Sequence, residues 1–130
     1  MQIDEKAMRQ MAAIRRGVAE VGYVTAVLQE RGDSLAIRLD EAVLRREVVA
    51  TLEACDRLGL QSDADRLSLC LLEITTFAGM RDLRKLPGLL DYAGGAPEAR
   101  MPALLQAMPP RVWAQITAQA PEVRRLRGIE

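Results

Sequence analysis

Apolar residues recur along the first thirty positions at alternating steps of four and three: Ala7, Met11, Ile14, Val18, Val21, Thr25 and Leu28. With about 100° between successive residues, these side chains fall on one side of a helix, together with Ile3 and Val24. Arg9, Arg16, Glu20, Tyr23 and Glu30 fall on the other side. A helix with such a stripe owes its stability to whatever covers the apolar face, so it must lie against the rest of the chain or against another one. This stripe constrains the fold more than any other feature of the sequence.

The rest of the composition agrees with a helical domain. A chain of 130 residues is one domain in size and buries roughly two-thirds of its unfolded surface. Hydrophobic residues make up 49% and charged residues 28%, the balance of a folded chain. The only aromatics are Tyr23, Phe77, Tyr92 and Trp113, so Leu, Val, Ile, Ala and Met must fill the core. Few aromatic or β-branched runs are present, which favours helix over sheet.

The first helix is expected from about Asp4 to Gln29, stopped by Arg31-Gly32-Asp33-Ser34, where Asp33 and Ser34 are N-cap candidates for the next element. Gly17 and Gly22 each cost a helix interior about 1 kcal/mol relative to Ala. Gly17 follows Ala13 by one turn, so its expected use is close approach of another backbone, with a kink as the alternative. Leu35, Ile37 and Leu39 alternate like a strand, yet no second strand is visible to pair with them, which favours a helix from about Ser34 or Asp40. From there Leu44, Val48, Thr51, Leu52, Cys55 and Leu58 share one face, Arg46, Glu53 and Arg57 share the other, and Gly59 ends the helix.

Ser62-Asp63-Ala64-Asp65 reads as a capping signal for a third helix. That helix puts Ala64, Leu67, Cys70, Leu71, Ile74, Phe77 and Ala78 on one face and Leu69 and Leu72 on the opposite one, with a stop at Gly79. A helix apolar on both faces sits centrally in a bundle or gives one face to a partner. All six prolines (87, 97, 102, 109, 110, 121) lie in the last third, where Pro102 and Pro110 suit the first turns of short helices. The expected architecture is therefore an irregular all-α bundle of about four to six helices, three of them substantial. Residues 1–95 form its core, and residues 96–130 are short helices packed on that core or a partly mobile arm.

Several chemistries are excluded. The chain has no histidine, which removes imidazole acid–base catalysis, Ser-His and Cys-His nucleophiles and His-based zinc sites. No glycine-rich phosphate loop or dinucleotide fingerprint is present. Cys55 and Cys70 are two, too few for a four-cysteine site, and read as small core residues. No cofactor and no small-molecule substrate is implied. An enzyme would rest on carboxylates such as Asp63, Asp65 and Glu73. For these the structural readings are a helix cap at Asp63 and Asp65 and an ion pair between Glu73 and Arg66.

Lys and Arg together number 18 and match 18 acids, so no overall field draws the chain to nucleic acid or an anionic membrane. Residues 1–65 hold 12 acids and 9 bases, and residues 66–130 hold 6 acids and 9 bases. Of the bases only Lys6 and Lys85 are Lys, a bias we attribute to a GC-rich, bacterial genome. The clusters Arg45-Arg46, Arg81/Arg84/Lys85 and Arg124-Arg125/Arg127 keep a nucleic-acid-binding regulator as an alternative. A helix-turn-helix around Gly59, however, would put Asp63 and Asp65 where phosphates should sit. Arg31-Gly32-Asp33 is a turn. No apolar run spans a bilayer and no secretory leader is visible, so the expected location is cytoplasmic.

The function these observations favour is a non-catalytic protein–protein interaction module, an adaptor, small chaperone or regulator, with a homodimer the simplest way to cover excess apolar surface. The residues expected to carry the interaction are Val18, Val21, Leu28, Leu69, Leu72, Arg111, Trp113 and Ile116. Trp113 beside Arg111 has the composition of an interface hot spot, and its core alternative is an anchor against Ile116.

Overall fold

The computed structural model describes residues 5–31 and 39–129, with the backbone alone for residues 7–16. Among the described residues every regular element is helical. Three long helices come first: α1 (Glu5–Glu30), α2 (Glu41–Leu58) and α3 (Asp63–Thr76). A 3-10 turn (Met80–Asp82) leads into four short ones: α4 (Leu86–Ala93), α5 (Arg100–Ala107), α6 (Pro110–Thr117) and α7 (Ala120–Leu126). The all-α bundle expected from the sequence is the observed architecture. No helix among the described residues is long and apolar enough to cross a membrane. The strand-or-helix question at residues 35–39, and the cap candidates Asp33 and Ser34, fall outside the described residues except for Leu39, which is non-helical and half-buried.

Local chemistry explains the helix ends. The Asp40 carboxylate accepts the Val43 amide at 2.9 Å and starts α2. Gly59, in the left-handed region at φ 73°, stops it by returning its own amide and that of Leu60 to the last turn. Ser62 Oγ accepts the Asp65 amide at 3.1 Å and starts α3. Pro87, Pro110 and Pro121 stand in the first turns of α4, α6 and α7, where the missing amide has no helical partner to lose.

Helix α3 is the centre of the molecule. Leu69 faces a cluster built from Cys55, Leu60, Met80, Leu86, Leu90, Met101, Leu104 and Ile116. On its other side Cys70 and Ile74 pack with Val24, Leu28, Leu44, Val48 and Leu52. Both apolar faces of α3 are thus covered within the chain, which settles the choice left open by the sequence. A third cluster joins Phe77, Ala120 and Ile129 at the C-terminal end. Met101, Leu104, Ile116, Ala120 and Ile129 are all buried, so residues 96–129 complete the core and are packed on it.

Candidate interaction site

The stripe on α1 divides between core and surface. Val24, Thr25 and Leu28 are buried against α2 and α3, and Val21 packs half-buried beside them. Val18 is 70% exposed on the same helix. Gly17 is exposed as well, and no heavy atom lies within 4 Å of where its Cβ would stand. The close backbone contact expected at Gly17 is therefore not made within the described residues.

The other expected interaction residues separate in the same way. Leu28 and Leu69, both with 0% exposure, are core residues and cannot face a partner in this fold. Each lies on a helix that the chain itself covers from that side. Ile116 is 7% exposed and also belongs to the core. Leu72 and Trp113 are half-buried against the same cluster, and Arg111 is exposed. Trp113 combines both of its readings: it packs on the core and also lines, with Leu105, Met108 and Pro110, an apolar hollow of about 360 Å³.

A larger groove of about 960 Å³ runs between α1 and the α2–α3 corner. Its floor is an ion-paired arginine. Arg66 Nε and Nη2 donate to the two carboxylate oxygens of Glu20 at 2.6 and 2.8 Å. Its Nη1 donates to Asp56 Oδ1 at 2.7 Å and to the Leu60 carbonyl at 3.0 Å. The hydrogen bond to Glu20 holds the guanidinium above its ordinary pKa, against the opposing effect of burial and with Asp56 adding to it. Gly17, Tyr23 and Asp63 complete the walls. The helical period puts Glu20 on the solvent face of α1; in the fold it fastens that helix to α3.

The buried acids are engaged in structural contacts. Glu73, expected beside Arg66, is 0% exposed and bonded elsewhere. Its Oε2 accepts the Gly79 amide at 3.1 Å, and its Oε1 accepts the Arg81 amide at 2.9 Å and Arg127 Nη2 at 3.1 Å. Arg66 is unavailable to it because Glu20 and Asp56 hold that guanidinium. Glu47, buried on α2, takes Arg81 Nη1 at 3.1 Å and Arg127 Nη1 at 3.3 Å on the same oxygen. Thr51 Oγ1 accepts from Arg81 Nη1 and donates to the Glu47 carbonyl.

Asp63 and Asp65 part company. Asp63 is exposed, whereas Asp65 is buried and accepts the amides of Arg100 and Met101 at 3.1 and 2.9 Å. It caps α5, whose own preceding residue, Ala99, has no side chain for the purpose. No group of three or more metal-ligating side chains is found among the described residues.

The basic clusters are partly internal. Arg81 and Arg127 have side chains only 9% exposed and belong to the Glu47–Glu73 network. Arg45 pairs with Glu41, Arg46 reaches the Arg127 carbonyl, and Arg125 pairs with Glu122. Both thiols are buried and free. Burial, the largest cause, pushes Cys55 up to about 12 and raises Cys70 in the same direction, so neither is a ready thiolate at neutral pH.

Comparison with known proteins returns no match: no family model, no curated protein and no solved structure corresponds to this chain.

Proposed function

We propose that this chain is a non-catalytic protein–protein interaction module, a cytoplasmic adaptor, small chaperone or regulator, that receives its partner on the apolar stripe of α1. The carrying observation is the division of that stripe. Thr25 and Leu28 are 1% and 0% exposed, while Val18, two turns before Thr25 on the same stripe, is 70% exposed. The sequence prolongs the stripe through Ile14, Met11 and Ala7. Covering it with a partner's apolar surface is worth roughly 25 cal/mol for each Å² removed from water. The buried carboxylates and thiols support the reading, because each is committed to packing, capping or ion pairing. The Trp113 hollow beside exposed Arg111 supplies a second surface of the composition that partners favour.

The test is quantitative capture from the chain's own cells. Tagged wild type and Val18→Glu are purified side by side and their co-purifying proteins measured by mass spectrometry, with circular dichroism as a folding control. The expected result is one stoichiometric partner, depleted about tenfold by the substitution, the equivalent of about 1.4 kcal/mol. Identical capture by both forms, or none by either, contradicts the proposal.

A further inference from the structure

We infer that the groove between the 3-10 turn and α7 is a second docking site, and that its occupant is an acidic segment of a partner protein bearing an apolar side chain. Among the described residues none from α1 lines this groove, so the inference goes beyond the apolar-stripe reading and stands or falls apart from it. The hollow measures about 380 Å³, at the lower end of the range for binding pockets. Its floor is the place where α7 lies against the turn, since a Cβ on Gly79 would stand 3.0 Å from Val123 Cγ2. Its apolar walls are Leu83 and Val123, each half-buried, and Leu126, which is 71% exposed at the end of α7.

Charge decides the occupant. Beside the groove Arg46, Arg81 and Arg127 close on Glu47, Glu73 and Asp82, three guanidiniums on three carboxylates, through ion pairs of 3.1–3.7 Å. Asp82 is the one acid on the described wall, and Arg81 and Arg127 both hold it already. Arg84, exposed on the same wall, has no hydrogen bond or ion pair among the described residues, and neither has exposed Lys85 after it. The acids of residues 83–129 do not supply one: Asp91 pairs with Arg100, Glu122 with Arg125, and Glu98 lies in the link between α4 and α5. The groove thus sets an uncompensated cation beside an exposed leucine. A nucleic-acid backbone answers Arg84 but leaves Leu83, Val123 and Leu126 in water. A wholly apolar segment covers the leucines but deprives a guanidinium of water without giving it a counter-charge. A segment with a carboxylate close to a leucine-like side chain satisfies both, because a carboxylate matches the guanidinium fork with two parallel hydrogen bonds.

A phage-displayed library of random dodecapeptides, selected on the full chain, tests this. The selected peptides are remade with a fluorophore, and their binding is read by anisotropy against wild type, Arg84→Glu, Leu126→Ser and Val18→Glu. The expected peptides combine aspartate or glutamate with leucine or phenylalanine. Their affinity is expected to fall by about tenfold on Arg84→Glu and on Leu126→Ser, and to stay unchanged on Val18→Glu. Lysine in place of the peptide's acids should abolish binding to wild type and restore it to Arg84→Glu. A misfolded variant cannot produce that rescue. No enrichment, enrichment of peptides without acids, or binding indifferent to Arg84→Glu overturns the inference. Tighter binding of a single-stranded oligothymidylate than of any peptide also overturns it, in favour of nucleic acid. Binding lost on Val18→Glu but kept on Arg84→Glu overturns it while leaving the α1 reading in place.

Discussion

Arg127 Nη2 lies 3.1 Å from Glu73 Oε1, so the end of α7 is bonded to the last turn of the central helix α3. The same guanidinium reaches Glu47 on α2 at 3.3 Å and Asp82 at 3.1 Å. Two buried carboxylates and two largely buried arginines, Arg81 and Arg127, thereby knit α2, α3, the 3-10 turn and the C-terminus. Removing one partner strands charge in a place with little water. Arg127→Ala is expected to destabilise the fold by about 3–5 kcal/mol, read from urea unfolding. A loss within ordinary surface scatter, about 0.5 kcal/mol, contradicts the network's role.

Asp65 supplies α5 with the cap that Ala99 cannot. Asp65→Ala should cost about 1–3 kcal/mol, because the amides of Arg100 and Met101 lose their acceptor while Met101 is buried. The effect should be local first. Hydrogen exchange is expected to accelerate at residues 100–107 before it does in α2, and uniform acceleration contradicts the capping account.

Thr25 is 1% exposed and its hydroxyl has no hydrogen-bond partner among the described residues. Replacing the hydroxyl with a methyl removes a desolvated polar group and adds apolar contact. Thr25→Val is expected to raise stability by about 1 kcal/mol. A destabilised variant in urea melts shows that the hydroxyl is satisfied in solution.

Gly95 combines φ 87° with crowding, since a Cβ there would stand 2.6 Å from the Ala103 methyl. Both the backbone conformation and the contact exclude a side chain. Gly95→Ala should therefore destabilise by more than the ~1 kcal/mol of a left-handed residue alone, and equality with wild type in thermal melts refutes the close contact of Gly95 with Ala103 of α5.

The buried thiols set an alkaline limit. Burial pushes Cys55 from 9.0 up to about 12. Between those values the folded chain keeps a proton that the unfolded chain has lost, so the contribution is complete below about pH 9 and declines as pH rises toward 12. Unfolding midpoints should fall between about pH 8 and about pH 10, with a shallower fall in Cys55→Ala. A pH-independent Cys55 contribution contradicts the burial.

The parts of the fold legible in the sequence were those decided within a few residues. Asp40, Gly59 and Ser62 mark the ends of α2 and α3 because a cap acts on amides or carbonyls of the adjoining turn. The apolar period overruns the end of α3: it continues to Ala78, but the helix stops at Thr76 and Phe77 adopts φ 49°. That turn lets the Glu73 carboxylate collect the amides of Gly79 and Arg81, and the side chain of Arg127 comes from 54 positions away. No local period encodes such a partner. A signal did exist at Glu47, a lone acid one turn from Leu44 and Thr51 on the apolar face of α2, and at Asp65, one turn before Leu69. A charged residue at a core position implies a distant counter-charge or cap. The α1 groove was invisible for the complementary reason, since Glu20 looks solvent-facing until the wheel of α3 brings Arg66 against it.

If a partner protein covers the α1 stripe at exposed Val18, a photo-crosslinking residue placed at that position in living cells will capture it. The control carries the same residue at Glu53, on the exposed face of α2. A discrete protein adduct is expected from position 18 and none from position 53. No adduct at position 18, or the same diffuse pattern from both positions, contradicts it.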